Sequence, residues 1–175
     1  LTVIFQPYIL GPILGLAAIL GSTFIPQIRI FGGQPDLVLL LVISWAIVSP
    51  LEEAITWAFV GGIFADLLSA APTGTSVIGL IFAAFLIDRV KRQLVNVNLL
   101  ILFGFTLISV AIQWLTQLVI IRVSGFAIRP VEQFFYTLLP SAVYNILFIL
   151  PVYWSMRRIK RGFSPRRRSR RLTSE

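Results

Sequence analysis

Residues 61–74, GGIFADLLSAAPTG, combine the features that decide how the rest of the chain is arranged. The acid Asp66 lies inside an apolar run, and an ionisable group at membrane depth is costly enough to mark a structural or functional site. The run then breaks at residues 71–74, APTG, a turn signal between two hydrophobic segments. This short stretch therefore predicts a buried charge, a helix end and a reversal of the chain.

The composition indicates an integral membrane protein. Hydrophobic residues make up 57% of the 175 residues, charged residues make up 13%, and the mean hydropathy is +0.91. Too few polar side chains remain to cover a soluble domain. The chain lacks cysteine and histidine, which excludes thiolate chemistry and the commonest general base and metal ligand. We therefore predict no catalytic, metal or cofactor site.

The apolar segments predict an all-α integral membrane protein, a compact bundle of about six transmembrane helices at about 20 residues per crossing. We place this domain at residues 1–160 and a basic, disordered cytoplasmic tail at 161–175. No basic residue precedes the first segment and no cleavage site is evident, so we interpret it as a resident helix and not as a signal peptide. The predicted helices cover residues 8–28, 36–49, 52–69, 75–88, 97–121 and 131–156.

The third predicted helix carries a stripe of small residues that reaches Asp66, four residues after Gly62. This spacing places Asp66 on a face that packs against another helix and leaves Trp57 and Phe59 to face lipid. A buried carboxylate must be paired, hydrogen-bonded or neutralised, and we expect hydroxyl or amide groups elsewhere in the bundle, or an arginine, as its partner. We predict a structural hub, called the hub residues below, at Pro35, Asp36, Gly62, Asp66, Pro72 and Gly74.

The first predicted helix carries small residues that let another backbone approach closely. They form the pairs Gly11 with Gly15 and Ala17 with Gly21, each four residues apart. Packing within the bundle and docking of a partner helix are both compatible with this pattern.

Polar residues follow one face of each of the last two predicted helices. At steps of three or four, the polar residues of the fifth helix are Thr106, Ser109, Gln113 and Gln117, and those of the sixth are Thr137, Ser141 and the adjacent Tyr144 and Asn145. Among them, Gln113, Gln117, Tyr144 and Asn145 are the predicted cavity residues. These side chains either form hydrogen bonds between helices or line a cavity that binds a ligand. The sequence leaves both alternatives open.

The basic residues predict the orientation. With six crossings and a cytoplasmic C-terminus, twelve Lys and Arg residues lie inside and three, Arg29, Arg122 and Arg129, lie outside. Both termini are then cytoplasmic, Asp36 and Asp66 lie at the outer end, and Arg29 or Arg129 is a candidate counter-charge. We predict contacts with anionic lipids, with an acidic cytoplasmic protein as the alternative and no nucleic acid. The predicted membrane-surface residues are Arg89, Lys91, Arg92, Arg157, Arg158, Lys160 and Arg161.

One set of residues resembles a known family in its order and spacing. The set runs Pro35-Asp36-Leu37, Glu53-Ala54-Ile55, Gly62, Asp66-Leu67-Leu68-Ser69, Pro72, Gly74 and Ser76. It resembles the rod shape-determining protein family MreD, in detail over residues 35–80. Ala58 stands where many members have glycine, and the Glu52-Glu53 pair and the arginine-rich tail are less typical.

This resemblance implies a non-enzymatic component of the bacterial elongation machinery, the rod complex, in the inner membrane. It implies binding to MreC, a bitopic periplasmic protein, and work with MreB, RodA and its transpeptidase partner in lateral peptidoglycan synthesis. It also implies a fold similar to the substrate-binding subunits of energy-coupling-factor vitamin transporters, although a shared fold does not imply transport.

The sequence fits three function classes to different degrees. A membrane scaffold fits the small-residue faces and the lack of a catalytic set. A vitamin-binding transporter subunit is the alternative, because the polar faces of the last two helices could line a pocket. A membrane aspartyl protease fits poorly, because Asp36 and Asp66 lie at predicted helix ends without the glycine-rich surroundings of paired mid-membrane aspartates.

Overall fold

The computed structural model describes residues 2–23, 33–69, 74–94, 97–125 and 138–163. Within these ranges the chain forms six α-helices, and we number them in chain order. They are α1 (Thr2–Thr23), α2 (Leu37–Val48), α3 (Leu51–Leu67), α4 (Thr75–Lys91), α5 (Leu99–Val123) and α6 (Leu139–Phe163). The predicted all-α class is confirmed for the described part of the chain.

Several helices end at residues other than those predicted. α1 begins at Thr2 and ends at Thr23, and the predicted remainder at 24–28 lies outside the described residues. α4 continues three residues past the predicted end because Asp88 pairs with Lys91 and Arg92, one turn further along the same helix. α6 extends to Phe163, so the first residues of the predicted tail are helical. Residues 131–137, predicted as the start of the sixth helix, and 164–175 lie outside the described residues.

The shortest helix, α2, forms the centre of the bundle. Every residue from Val38 to Ile47 is buried, and the helix packs against α1, α3, α4, α5 and α6. A helix that is apolar on all sides requires such surroundings. α2 is about 18 Å long at about 1.5 Å per residue, shorter than a hydrocarbon core of about 30 Å, and its neighbours shield it.

α3 approaches α4 closely at Gly62. A Cβ atom at Gly62 would lie 2.5 Å from the Cα atom of Val77 and 2.7 Å from its backbone nitrogen. The two backbones are in direct contact there, which only a glycine permits. This contact fixes the end of α3 against the beginning of α4.

One expected lipid contact on α3 is wrong. Phe59 is exposed, but Trp57 is buried and stacks on Trp45 of α2, with ring centroids 4.5 Å apart. The two stacked rings fill the space between α2 and α3, which a short turn joins. The small-residue spacing does not reveal this local geometry.

Two of the described helical stretches are long and apolar enough, taken alone, to cross a membrane. They are Leu99–Val123 and Leu139–Gly162, while Gly11–Thr23 and Leu37–Val48 are apolar but shorter. Large aliphatic side chains such as Leu100, Leu115 and Leu147 remain exposed on these two long helices. Lipid would cover such surfaces at little cost.

Candidate functional site

The carboxylate of Asp66 caps the N-terminus of α4. Its Oδ2 atom accepts a hydrogen bond from the backbone nitrogen of Gly74 at 2.7 Å, and its Oδ1 atom accepts one from that of Ser76 at 2.9 Å. Gly74 adopts a φ of 97°, in the left-handed region, and has no side chain with which to cap the helix. Asp66 supplies the missing acceptor from α3, and its negative charge lies at the positive end of the α4 dipole.

This arrangement differs from the expectation that an arginine or a polar group deep in the bundle pairs with Asp66. The partners are backbone N–H groups of the next helix, eight and ten residues along the chain. Asp66 is only 4% exposed, so these bonds replace the water that it loses on folding. Pro72, another of the hub residues, lies outside the described residues, as do the candidate counter-charges Arg29 and Arg129.

Asp36 caps α2 in the same way and joins it to α6. Its Oδ1 atom accepts a hydrogen bond from the backbone nitrogen of Leu39 at 2.9 Å. Its own backbone N–H donates to Oδ1 of Asn145, also at 2.9 Å, and the backbone nitrogen of Gln34 donates to Oγ of Ser141 at 3.3 Å. These bonds dock the segment 33–36 onto α6.

Gly33 makes this docking possible. A Cβ atom at Gly33 would lie 2.4 Å from Cβ of Pro140 and 2.6 Å from the backbone nitrogen of Ser141. Gly33 is not among the predicted site residues, although it precedes Gln34 and Pro35 in a stretch whose composition indicates a loop. Its role depends on α6, which is distant in the sequence.

A polar cavity of about 250 Å³ lies between the start of α2 and the facing sides of α5 and α6. A second cavity of about 450 Å³ lies beside α1 and the end of α3, and it shares Gln34, Asp36 and Gln117 with the first. Pro35 lines the second cavity. The polar lining of the first cavity consists of Gln34, Asp36, Gln113, Gln117, Ser141 and Asn145.

The structure thus brings three of the four predicted cavity residues together with Asp36. The fourth, Tyr144, is half-buried and lines neither cavity. Gln113 is 6% exposed, and within the described part of the chain its Oε1 atom has no hydrogen-bond partner. That oxygen lies against α4, where a Cβ atom at Gly79 would be 2.1 Å from it. Sequence reasoning did not select Gly79 as a site residue.

The opposite end of the bundle holds a half-buried cation, Lys91, whose side chain is 16% exposed. The Nζ atom of Lys91 donates to the backbone oxygen of Ala46 at 2.7 Å and to that of Ser49, and it lies 3.2 Å from Oδ1 of Asp88. The ammonium group therefore satisfies carbonyl groups left free at the C-terminus of α2. We call this the basic end of the bundle, and the end that contains Asp36 and Asp66 the acid end.

A second cation closes the basic end from α6. The Nζ atom of Lys160 lies 2.6 Å from Oε2 of Glu53 on α3 and 5.0 Å from the centre of the Trp45 ring. Trp45 in turn stacks on Trp57. Of the predicted membrane-surface residues, Lys91 and Lys160 thus serve contacts inside the bundle, whereas the arginines remain exposed.

The small-residue positions of α1 divide into two groups. Ala17 is buried, and a Cβ atom at Gly15 would meet the ring of Phe64 at 3.9 Å, so these two positions pack within the bundle. At Gly11 and Gly21 no atom of the described residues lies within 4 Å of the place that a Cβ atom would occupy, and Gly21 lines the second cavity beside Ala17. These two positions are therefore not packed against the described part of the bundle.

The chemistry of these groups is that of helix capping and helix packing. Asp36 and Asp66 each accept backbone N–H groups at a helix start. Among the described residues, no group of three or more His, Cys, Asp or Glu side chains is placed to hold a metal ion.

A comparison with known protein families matches the sequence to one of them. The sequence model described as rod shape-determining protein MreD matches residues 3–159, which include the residues of both ends described above except Lys160. Neither the curated proteins nor the solved structures gave a match. MreD proteins are membrane proteins with a structural role in rod shape determination. The chain belongs to the MreD family.

Proposed function

We propose that the chain is a non-enzymatic membrane scaffold of the bacterial cell-elongation complex. It binds MreC and helps to organise lateral peptidoglycan synthesis together with MreB, RodA and its transpeptidase partner. The observation that carries the proposal is the match to MreD over residues 3–159. The capped and tightly packed helices support it, because a scaffold needs rigid elements to present a surface.

The proposed topology has six crossings of the inner membrane with both termini in the cytoplasm. Lys91 contacts the C-terminus of α2 and Lys160 lies over Trp45 near the same point, which supports placing the ends of α4 and α6 together. Arg89, Arg157 and the other predicted cytoplasmic arginines of these helices then share one side. The proposal includes a fold similar to the substrate-binding subunits of energy-coupling-factor transporters.

The proposed surface for MreC is the outer face of α1. This helix packs mainly against α2 and α3, which leaves Leu16 and Ile19 exposed on its outer face. Gly21 lies on the inward side, where it lines the second cavity with Ala17 and Ala18. A bitopic partner contributes a single transmembrane helix, and the exposed aliphatic side chains of α1 would pack against it.

Site-specific crosslinking tests this surface. A photo-reactive residue at Leu16 or Ile19, exposed on α1, should give an adduct with MreC in native membranes, and one at Leu107 or Leu115, exposed on α5, should not. Adducts from α5 alone would refute docking on α1 while leaving a scaffold role intact. Affinity purification of the whole chain tests that role, since recovery without MreC or other wall-synthesis proteins would refute it.

A substrate-binding subunit of a vitamin transporter is the second candidate, and the polar cavity near Asp36 favours it. Its volume of about 250 Å³ is below the roughly 300–1,000 Å³ usual for ligand pockets, whereas the adjoining second cavity of about 450 Å³ lies within that range. Purification from native membranes distinguishes the candidates. An associated ATPase module, with a small molecule released on denaturation, would support transport and contradict the scaffold.

A further inference from the structure

A continuous exposed stripe runs along α6 and changes from aliphatic to aromatic to basic. Its first part consists of Val143, Leu147, Leu150 and Trp154, which are 61%, 67%, 38% and 64% exposed. The spacing of three or four residues places them on one face, and it continues to exposed arginines one and two turns later. These are Arg157, Arg158 and Arg161.

The inward face of the same helix is different. Asn145, Ile149 and Met156 are buried there, and Lys160 pairs with Glu53. Within the described part of the chain, none of the three arginines of the stripe takes part in an ion pair. The guanidinium of Arg158 lies 5.7 Å from the centre of the Trp154 ring, which orders it while leaving its N–H groups free.

The length of the apolar part matches one leaflet of a bilayer. From Val143 to Trp154 the helix rises about 16 Å at about 1.5 Å per residue, close to half of a hydrocarbon core of about 30 Å. Tryptophan is enriched where the core meets the headgroups. With Trp154 at that depth, the arginines that follow lie at the level of lipid phosphate groups.

We propose that this face of α6 binds an anionic phospholipid, with acyl chains along Val143 and Leu147 and the phosphate held by Arg157, Arg158 and Arg161. The planar guanidinium groups suit phosphate oxygens, which they bind with paired hydrogen bonds. The apolar part continues directly into the arginines, which favours a lipid over a soluble phosphate or an acidic protein. α4 shows the same sequence of an apolar stripe followed by a basic residue. Its exposed Ile78, Phe82 and Phe85 lead to Arg89, which takes part in no ion pair within the described part of the chain.

Lipid titration of the detergent-purified full chain, followed by native mass spectrometry, tests the proposal. The probes are phosphatidylglycerol and, as the zwitterionic reference, phosphatidylcholine. Each arginine near the membrane surface is expected to raise the affinity for an anionic lipid about fivefold. The triple variant Arg157→Gln/Arg158→Gln/Arg161→Gln should therefore weaken phosphatidylglycerol binding on the order of a hundredfold and leave phosphatidylcholine binding unchanged. The three single variants should each lose about fivefold, and they test the proposal even if the triple variant misfolds.

The matched control removes the same charge elsewhere. Arg166→Gln/Arg167→Gln/Arg168→Gln changes three arginines of the C-terminal segment, outside the described residues, and should change phosphatidylglycerol binding less than twofold. An equal loss in this control would show that net charge alone attracts the lipid and would overturn the proposal. Displacement of the lipid by soluble glycerol 1-phosphate at the same concentration would overturn it in favour of a soluble phosphate ligand.

Discussion

The acid end and the basic end of the bundle both satisfy a charged side chain with backbone groups that are left free at helix ends. The acid end uses N–H groups, and the basic end uses carbonyl groups. At the acid end, the carboxylates of Asp36 and Asp66 accept the free N–H groups at the starts of α2 and α4. At the basic end, Lys91 donates to the free carbonyl groups at the end of α2. In both cases the charge also complements the helix dipole, and at the basic end Asp88 adds an ion pair with Lys91.

The two ends differ in how completely they are filled. The stacked rings of Trp45 and Trp57, with the ion pair of Lys160 and Glu53, close the basic end. The acid end contains two cavities that meet at Asp36. A filled end resists change, whereas a hollow end can accept a ligand or rearrange around a partner. We therefore expect the cavity lining of the acid end to tolerate substitution, while its carboxylate cap on α4 contributes more to stability than the contacts of the basic end.

The largest effect is expected for Asp66→Leu. The leucine leaves two buried N–H groups of α4 without an acceptor, which should lower the free energy of unfolding by about 3–5 kcal/mol. Asp66→Asn retains one acceptor oxygen and should lose about half as much. Denaturation in detergent measures both variants. A leucine variant as stable as the parent chain would show that the carboxylate does not hold α4.

Gly62→Ala should have the next largest effect, about 2–3 kcal/mol, because its methyl group overlaps the backbone of Val77. Gly104→Ala is the matched control on α5, since nothing lies within 4 Å of its Cβ position. Alanine favours a helix over glycine, so the control should gain about 0.5–1 kcal/mol. The same denaturation experiment compares them, and a loss of equal size in both would mean that α3 and α4 are not in backbone contact.

Lys91→Met tests the basic end with a smaller expected loss of about 1–3 kcal/mol, since it removes the donor that caps α2 and leaves carbonyl groups unsatisfied. Arg89→Met, two residues earlier, removes the same charge from an exposed position and should cost less than about 0.5 kcal/mol. Melting temperatures in detergent separate the two variants. Equal losses would assign the effect to net charge and not to the cap.

Lys160→Met should have the smallest effect, about 1 kcal/mol or less, because the Lys160 and Glu53 side chains are 30% and 25% exposed and a partly solvated ion pair contributes little. A double-mutant cycle with Glu53→Gln measures the coupling directly. A coupling above about 2 kcal/mol would mean that this pair closes the basic end more firmly than its exposure suggests.

The sequence predicted the elements better than their contacts. Periodic apolar segments indicated the helices, and the spacing from Gly62 to Asp66 placed the acid on a packed face, because such patterns depend only on residues one turn apart. The cap of α4 by Asp66 depends on the path of the turn that follows. The contacts of Gly33 with Pro140, and of Lys160 with Glu53, join parts of the chain about a hundred residues apart, where no local pattern exists.

The chain separation of these contacts implies an order of assembly. Asp66 lies only eight and ten residues from its partners, so the hairpin of α3 and α4 can form as soon as both helices have been synthesised. Asp36 and Asn145 are 109 residues apart, and Glu53 and Lys160 are 107 apart. During synthesis from the N-terminus, both ends of the bundle therefore stay incomplete until α6 arrives. Truncation of α6 alone would leave neither end closed.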